Sequence, residues 1–173
     1  MLRTERLRLR SFEERDAEDL FSYLSDPEVV RFEPYGTMTL DECRVEAARR
    51  AYDERFWAVE TDGKVIGNLF LSRPDDQNTA ELGFVFSRAY QRKGYATEAA
   101  KCLLKYAFAH MGLHRVIAMC DAENPASWHL MERLGMRREG CFRKNTAFWK
   151  DERGKPIWKD TLLYAILEEE FDG

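Results

Sequence analysis

Two stretches that demand different backbones meet at Gly94. From Thr79 to Phe86 the chain is a strand-like run, Thr-Ala-Glu-Leu-Gly-Phe-Val-Phe. From Ala96 onward, apolar residues recur at Ala96, Ala99, Ala100, Leu103, Leu104, Ala107 and Met111, the spacing of one face of an amphipathic helix that Gly112 stops. The connection, Gln91-Arg92-Lys93-Gly94-Tyr95-Ala96, turns a strand into a helix, so strand and helix share one core. It is also a candidate anion cradle. The first N–H groups of a helix lack intrahelical partners and carry the positive end of the peptide dipoles, and a glycine lets the backbone approach a phosphate closely. Arg92 and Lys93 add positive charge beside it. The loop lacks the Gly-Lys-Ser/Thr of a nucleoside triphosphatase and the three glycines of a dinucleotide fold, which disfavours both classes. A single glycine before a helix also serves simply as a tight turn.

The remaining elements follow from local signals. Leu7-Arg8-Leu9-Arg10 alternates like a first strand, and Ser11 to Glu14 reads as a capping box opening a helix with Ala17, Leu20, Phe21 and Leu24 inward. Thr39 and Glu42 form a second capping box, before a helix with Leu40, Cys43, Ala47 and Ala51 inward. Phe56 to Glu60 and Val65 to Leu71 flank Asp62-Gly63, a hairpin signal, and lead to the Thr79 strand in meander order. Arg115 to Cys120 is a further strand, Asn124-Pro125 an N-cap with proline in the first turn, and Gly135 the end of that helix. Met136 to Phe148 and Lys159 to Leu167 suit a closing hairpin around a polar loop, Lys150 to Lys155. The expected fold is a single α/β domain spanning residues 1–173, a mixed, mainly antiparallel sheet flanked by about four helices.

Composition narrows the functional classes. With 173 residues, 45% apolar and 13% aromatic, the chain has material for one sizeable core. No segment reaches the roughly 18 apolar residues of a membrane span, and nothing at the start reads as a signal peptide, so the expected location is the cytoplasm with no membrane partner. A net charge of −4 gives no nucleic-acid footprint. Cys43, Cys102, Cys120 and Cys141 lack CxxC spacing and read as free buried thiols, and His110, His114 and His129 lack metal-ligand spacing, so no metal is expected. Glu168-Glu169-Glu170 reads as a solvated tail.

Four segments then fall into one register. Glu81-Leu82-Gly83-Phe84-Val85-Phe86, Gln91 through Ala99, Asn124-Pro125-Ala126-Ser127 and Leu134-Gly135-Met136 resemble, in order and spacing, the GCN5-related N-acetyltransferase (GNAT) superfamily. The branch holding the ribosomal-protein N-terminal acetyltransferases (RimJ/RimL-like) is the most similar, and Trp158 to Tyr164 resembles it too. The similarity runs from about Leu7 to Leu167. It implies acetyl-CoA as cosubstrate, no metal, and direct transfer of acetyl to a primary amine, either a protein N-terminal α-amine or a small molecule.

The resemblance also implies roles. Gln91, Arg92, Lys93, Gly94, Tyr95, Ala96 and Thr97 match the loop that holds the cofactor pyrophosphate through backbone amides, with Ala96 in its last position. Phe84, Val85 and Phe86 match the strand along which the pantetheine arm lies, and Asn124, otherwise a helix cap, matches a residue that contacts that arm. Glu81 occupies the place where many members keep a general base, a role that suits a carboxylate whose pKa burial can raise; otherwise it is a solvated strand glutamate. The common tyrosine acid falls at Met131, which cannot donate a proton. In the ribosomal-protein branch a serine matching Ser127 is the acid, against a reading as first-turn hydrogen bonding. That branch also uses a late-strand glutamate where this chain has Thr146. Phe32 and Tyr35, in the loop between the early helices, are the candidate lip of the acceptor pocket. Two rival readings remain, a non-catalytic acyl-CoA-binding sensor and an enzyme that modifies amine antibiotics, and a homodimer stays open.

Overall fold

The computed structural model describes residues 1–173 and opens with two short antiparallel strands, β1 (Leu2–Arg3) and β2 (Arg8–Arg10). β1 is absent from the sequence reading, since two residues carry no periodicity. The first helix, α1 (Ala17–Leu24), starts later than Ser11. Its entry is a 3-10 turn, Glu14–Asp16, and the reciprocal cap is made by Glu13 and Asp16 rather than by a serine. Ala17, Leu20 and Leu24 face inward as expected, but Tyr23 is fully buried while Phe21 is exposed, a correction to the expected inward face.

Thr39 caps α2 (Leu40–Ala51) as expected, accepting from the Glu42 N–H while the Glu42 carboxylate accepts from the Thr39 N–H. Cys43 and Ala47 are buried in its inner face, joined by Arg50. β3 (Phe56–Thr61) and β4 (Lys64–Leu71) turn on Asp62 and Gly63, both at positive φ (50° and 75°), the backbone pair a two-residue hairpin needs. β5 (Thr79–Phe86) completes the meander.

Gly94 and Gly112 both take left-handed backbone at the two ends of α3 (Tyr95–Met111), φ 82° and 67°. Met111 at its end is exposed rather than inward. α3 carries the chain over the sheet to β6 (Arg115–Asp121), which lies parallel to β5. α4 (Pro125–Arg133) begins on Asn124, and β7 (Arg137–Thr146) and β8 (Lys159–Leu167) form the closing hairpin. Strand order is β1-β2-β3-β4-β5-β6-β8-β7, with β8 between β6 and β7.

The sheet separates two apolar layers. Leu82 and Phe86 of β5 pack with Ile66 and Leu69 of β4 and with Ala99, Leu103, Leu104, Leu130 and Met131 from α3 and α4. Val85 faces the other way, with Ala58, Val65, Leu20, Tyr23 and Cys43. Of the cysteines only Cys43 is buried; Cys102 and Cys120 are half-buried and Cys141 is exposed, all unpaired. The expectation of four buried thiols fails because Cys141 lies on the outermost strand. Glu170 is also more than a solvated tail: it pairs with Arg137 and accepts from the Leu167 N–H. No helix is long and apolar enough to cross a membrane.

Candidate active site

β5 and β6 run together only briefly. Their parallel pairing covers Thr79↔Arg115, Ala80↔Val116 and Glu81↔Ile117. Beyond Glu81, β5 stays with β4 and β6 with β8, so the sheet forks. The main-chain groups at the fork have a defined direction. The Ser72 N–H donates to the Glu81 carbonyl at 2.9 Å and the Ser87 N–H to the Ile66 carbonyl at 2.9 Å; by antiparallel alternation, odd-numbered residues of β5 bond to β4. The N–H and C=O of Leu82, Phe84 and Phe86 therefore face the β6 side. Gln91 occupies the Phe86 carbonyl through its side-chain amide at 3.1 Å. At Phe84 the backbone opens into the gap, an unfilled strand edge able to pair with an extended amide-bearing chain.

At the far end of this edge lies the loop before α3. Its first helical hydrogen bond runs from the Glu98 N–H to the Gly94 carbonyl at 3.0 Å. The amides of residues 92 to 97 have no hydrogen-bond partner within the chain. Arg92 and Gly94 both take positive φ, 60° and 82°, which curls successive N–H groups toward one side as in an anion nest. Neither Arg92 nor Lys93 has an acidic partner, and both are exposed. Sequence reasoning missed two residues here. Arg6, from the turn between β1 and β2, reaches the Lys93 carbonyl, and Arg133 from α4 donates to Thr97 Oγ1 at 3.4 Å. Both are distant in sequence, and no local pattern marks them.

The fork opens toward α1 and α2 into a cleft of about 700 Å³. Glu81, Gly83, Phe84 and Val85 form its floor, the loop between α1 and α2 supplies Phe32 and Tyr35, and Asn124, Thr146 and Phe148 close the far wall. A β-carbon built on Gly36 would sit 3.8 Å from the Trp149 ring, so the β7–β8 connection lies against the α1–α2 loop. Phe32 and Tyr35, expected from their loop position to form an acceptor lip, line this cleft. The loop from Gln91 to Thr97 is not part of this cleft; the β5 edge joins the two.

The electrostatics of the cleft separate its acids. Glu81 is half-buried, burial alone raises its pKa, and its carboxylate has no cation or donor partner. Glu33 is pushed up to about 7 by burial, against the opposing influence of the Tyr35 hydroxyl and Arg50. For Glu46 burial acts upward, yet its bonds to Arg49 and Arg50 hold it below its ordinary value. Arg50 is itself buried, donating at 3.0 Å to Asn68 Oδ1, which also accepts from Tyr23. Burial, assisted by Asp121, lifts the Cys120 thiol to about 11, so it stays protonated near neutrality and is no nucleophile.

Asn124 does cap α4: its Oδ1 accepts from the Ser127 N–H at 3.3 Å, and its Nδ2 donates to Ser127 Oγ at 2.9 Å. Because Oγ is the acceptor in that contact, the Ser127 hydroxyl proton stays free to be donated elsewhere. Met131 is buried in the core. No cluster of three or more His, Cys, Asp or Glu side chains is arranged to hold a metal ion.

Residues 6–137 match the acetyltransferase (GNAT) domain model. The chain belongs to the GNAT family. It is 38% identical over 172 residues to YnaD of Bacillus subtilis, described as an uncharacterized N-acetyltransferase, with 98% of each chain covered. A crystal structure of a GNAT acetyltransferase from Bacillus anthracis superimposes with a TM-score of 0.88 at 37% identity, covering 98% of this chain and 99% of that one. The spermidine N(1)-acetyltransferase of Escherichia coli is 29% identical over 138 residues, 78% of this chain and 74% of that enzyme. This GNAT chain is thus an N-acetyltransferase, and its acetyl donor is acetyl-CoA.

Proposed function

We propose that the chain transfers acetyl directly from acetyl-CoA to a primary amine on a small molecule, using Glu81 as general base and Ser127 as general acid. One observation carries this: the strand fork connects an unpartnered row of amides at residues 92 to 97 with a cleft whose floor holds an unpaired, half-buried carboxylate. The amides, with Arg92 and Lys93, suit the pyrophosphate. The open edge at Phe84 and Phe86, beside Val85 and Asn124, suits the pantetheine arm and leaves a main-chain donor for the thioester carbonyl.

Acetyl transfer needs a neutral amine, a stabilised oxyanion and a proton for the departing thiolate. Glu81, raised by burial, accepts the ammonium proton; the nitrogen lone pair then forms the new C–N bond as the C–S bond breaks. The nitrogen sheds its second proton to water as the amide forms, and the free Ser127 hydroxyl gives a proton to sulfur and regains one from solvent. With Glu46 committed to Arg49 and Arg50, the carboxylates left to draw in a cationic acceptor are Glu33, Glu81 and Asp121. Aromatic walls at Phe32 and Tyr35 suit an ammonium on a compact body.

A protein N-terminal α-amine is the second reading. It is favoured by Ser127, which stands at the position of the acid in the ribosomal-protein branch, although Thr146 replaces that branch's glutamate. Thiol release from acetyl-CoA, measured against small amines and unblocked peptides in parallel, tests both. Turnover with small amines supports the first, turnover with peptides alone the second, and release with neither counts against both acceptors.

A further inference from the structure

We infer that Arg6 is a positioning residue for the pyrophosphate cradle, a role that rests on the reading of residues 91 to 97 as the cofactor loop. It lies outside that loop and some ninety residues before it, at the turn that joins β1 to β2. Its guanidinium nevertheless grips Lys93 and Tyr95 of the loop and Glu98 just beyond it. Nη1 donates to the Lys93 carbonyl at 3.0 Å. Nε and Nη2 clamp one oxygen of Glu98 at 2.7 and 2.6 Å. The guanidinium carbon stacks 4.5 Å from the centre of the Tyr95 ring.

Each contact bears on phosphate binding. In a trans peptide the C=O and the following N–H point in opposite directions. By holding the Lys93 carbonyl, Arg6 turns the Gly94 N–H away from itself, toward the open side of the cradle. Glu98 is the sole acid in the first turn of α3, where an unpaired carboxylate would repel a bound diphosphate. Arg6 pairs it through side chain and main chain, the Arg6 N–H donating to the other Glu98 oxygen at 3.1 Å, with the Thr4 hydroxyl completing the shell. Burial alone would raise the Glu98 pKa, but these bonds hold it below its ordinary value, so the carboxylate stays charged and turned toward Arg6. A β-carbon added at Gly94 would lie 3.3 Å from Arg6 Nη2, which shows how closely the guanidinium lies against the turn.

The test is calorimetric titration of the intact protein and of Arg6→Met and Arg6→Lys with coenzyme A, with pantetheine measured as competitor in each. Pantetheine lacks the pyrophosphate and so reports on the strand edge alone. The expected result is coenzyme A affinity about tenfold weaker in Arg6→Met, in line with losing charge-assisted hydrogen bonds, with pantetheine competition unchanged. Arg6→Lys keeps the charge beside Glu98 but lacks the fork to reach Lys93 as well, so its loss should be smaller and equally pantetheine-sparing. Coenzyme A affinity within twofold of the original in both variants overturns the inference, as does an equal loss of coenzyme A and pantetheine. No heat from the unsubstituted protein would instead defeat the cofactor-loop assignment itself.

Discussion

Glu81→Gln separates a base from a bystander, and the structure sets the size of the effect. The carboxylate has no cation partner, so replacing it by a neutral isostere breaks no ion pair in the fold. What is lost is the capacity to take a proton from the incoming ammonium. An alkylamine with pKa about 10.4 is neutral in only about 1 molecule in 250 at pH 8. A variant confined to that fraction should be about 250-fold slower in kcat/KM for the amine at pH 8 and about 25-fold slower at pH 9, the former equal to about 3 kcal/mol of barrier. The original enzyme should lose rate on the acid side, as protonation of Glu81 at its raised pKa removes the base. The variant should instead gain about tenfold per pH unit up to the amine pKa. Stability should move the other way. A carboxyl whose folded pKa is raised binds its proton more tightly when folded, so its ionisation costs stability increasingly as pH rises through that pKa. Glutamine has no such cost, so the variant should melt at the same temperature or higher at pH 8. Steady-state thiol release across pH 7 to 9, with coenzyme A affinity measured alongside, provides the assay. A variant within threefold of the original at pH 8, or a deficit that stays constant across the range, would refute proton removal by Glu81.

Ser127→Ala should lower kcat about tenfold or more with KM for acetyl-CoA within twofold, because Asn124 keeps its bond to the residue 127 N–H and α4 stays capped; an unchanged kcat would assign protonation to water. Gly67→Ala should destabilise the protein by about 3 kcal/mol, seen in the urea midpoint, because its β-carbon would fall 2.6 Å from both the Phe86 ring and the Val85 carbonyl, and backbone cannot yield as a side chain does. Asp16→Asn should cost about 3 kcal/mol, read from the same denaturation curves, since it leaves buried Arg10 without the carboxylate that receives two of its nitrogens at 2.7 and 2.8 Å.

The features legible in the sequence were those written within a few consecutive residues. Asp62-Gly63, Thr39 with Glu42, Asn124-Pro125 and the apolar stripe of α3 each encode their own backbone, and each element formed where expected. The start of α1 did not, because Ser11, Glu13 and Asp16 all offer oxygens to a helix start, and a tertiary partner chose among them: Arg10 binds Asp16 and Glu60 together, drawing Asp16 into the cap. The same limit applies to the site. Glu81, Phe32 and Tyr35 could be proposed because strand position and loop position are local facts, and the structure sets all three along the cleft. Arg6, Arg133 and Glu33 were missed. Arg6 and Arg133 matter through contacts far along the chain, and a glutamate before a proline gives no sign that the fold will bury it.

The central claim is that backbone amides between residues 92 and 97 hold the diphosphate of the acetyl donor, and amide NMR with titrated coenzyme A tests it directly. The largest shifts and the greatest slowing of hydrogen exchange should fall on Gly94, Tyr95, Ala96 and Thr97, with Phe84 following and pantetheine moving Phe84 alone. Saturation by coenzyme A that leaves the amides of residues 92 to 97 unmoved would contradict the account.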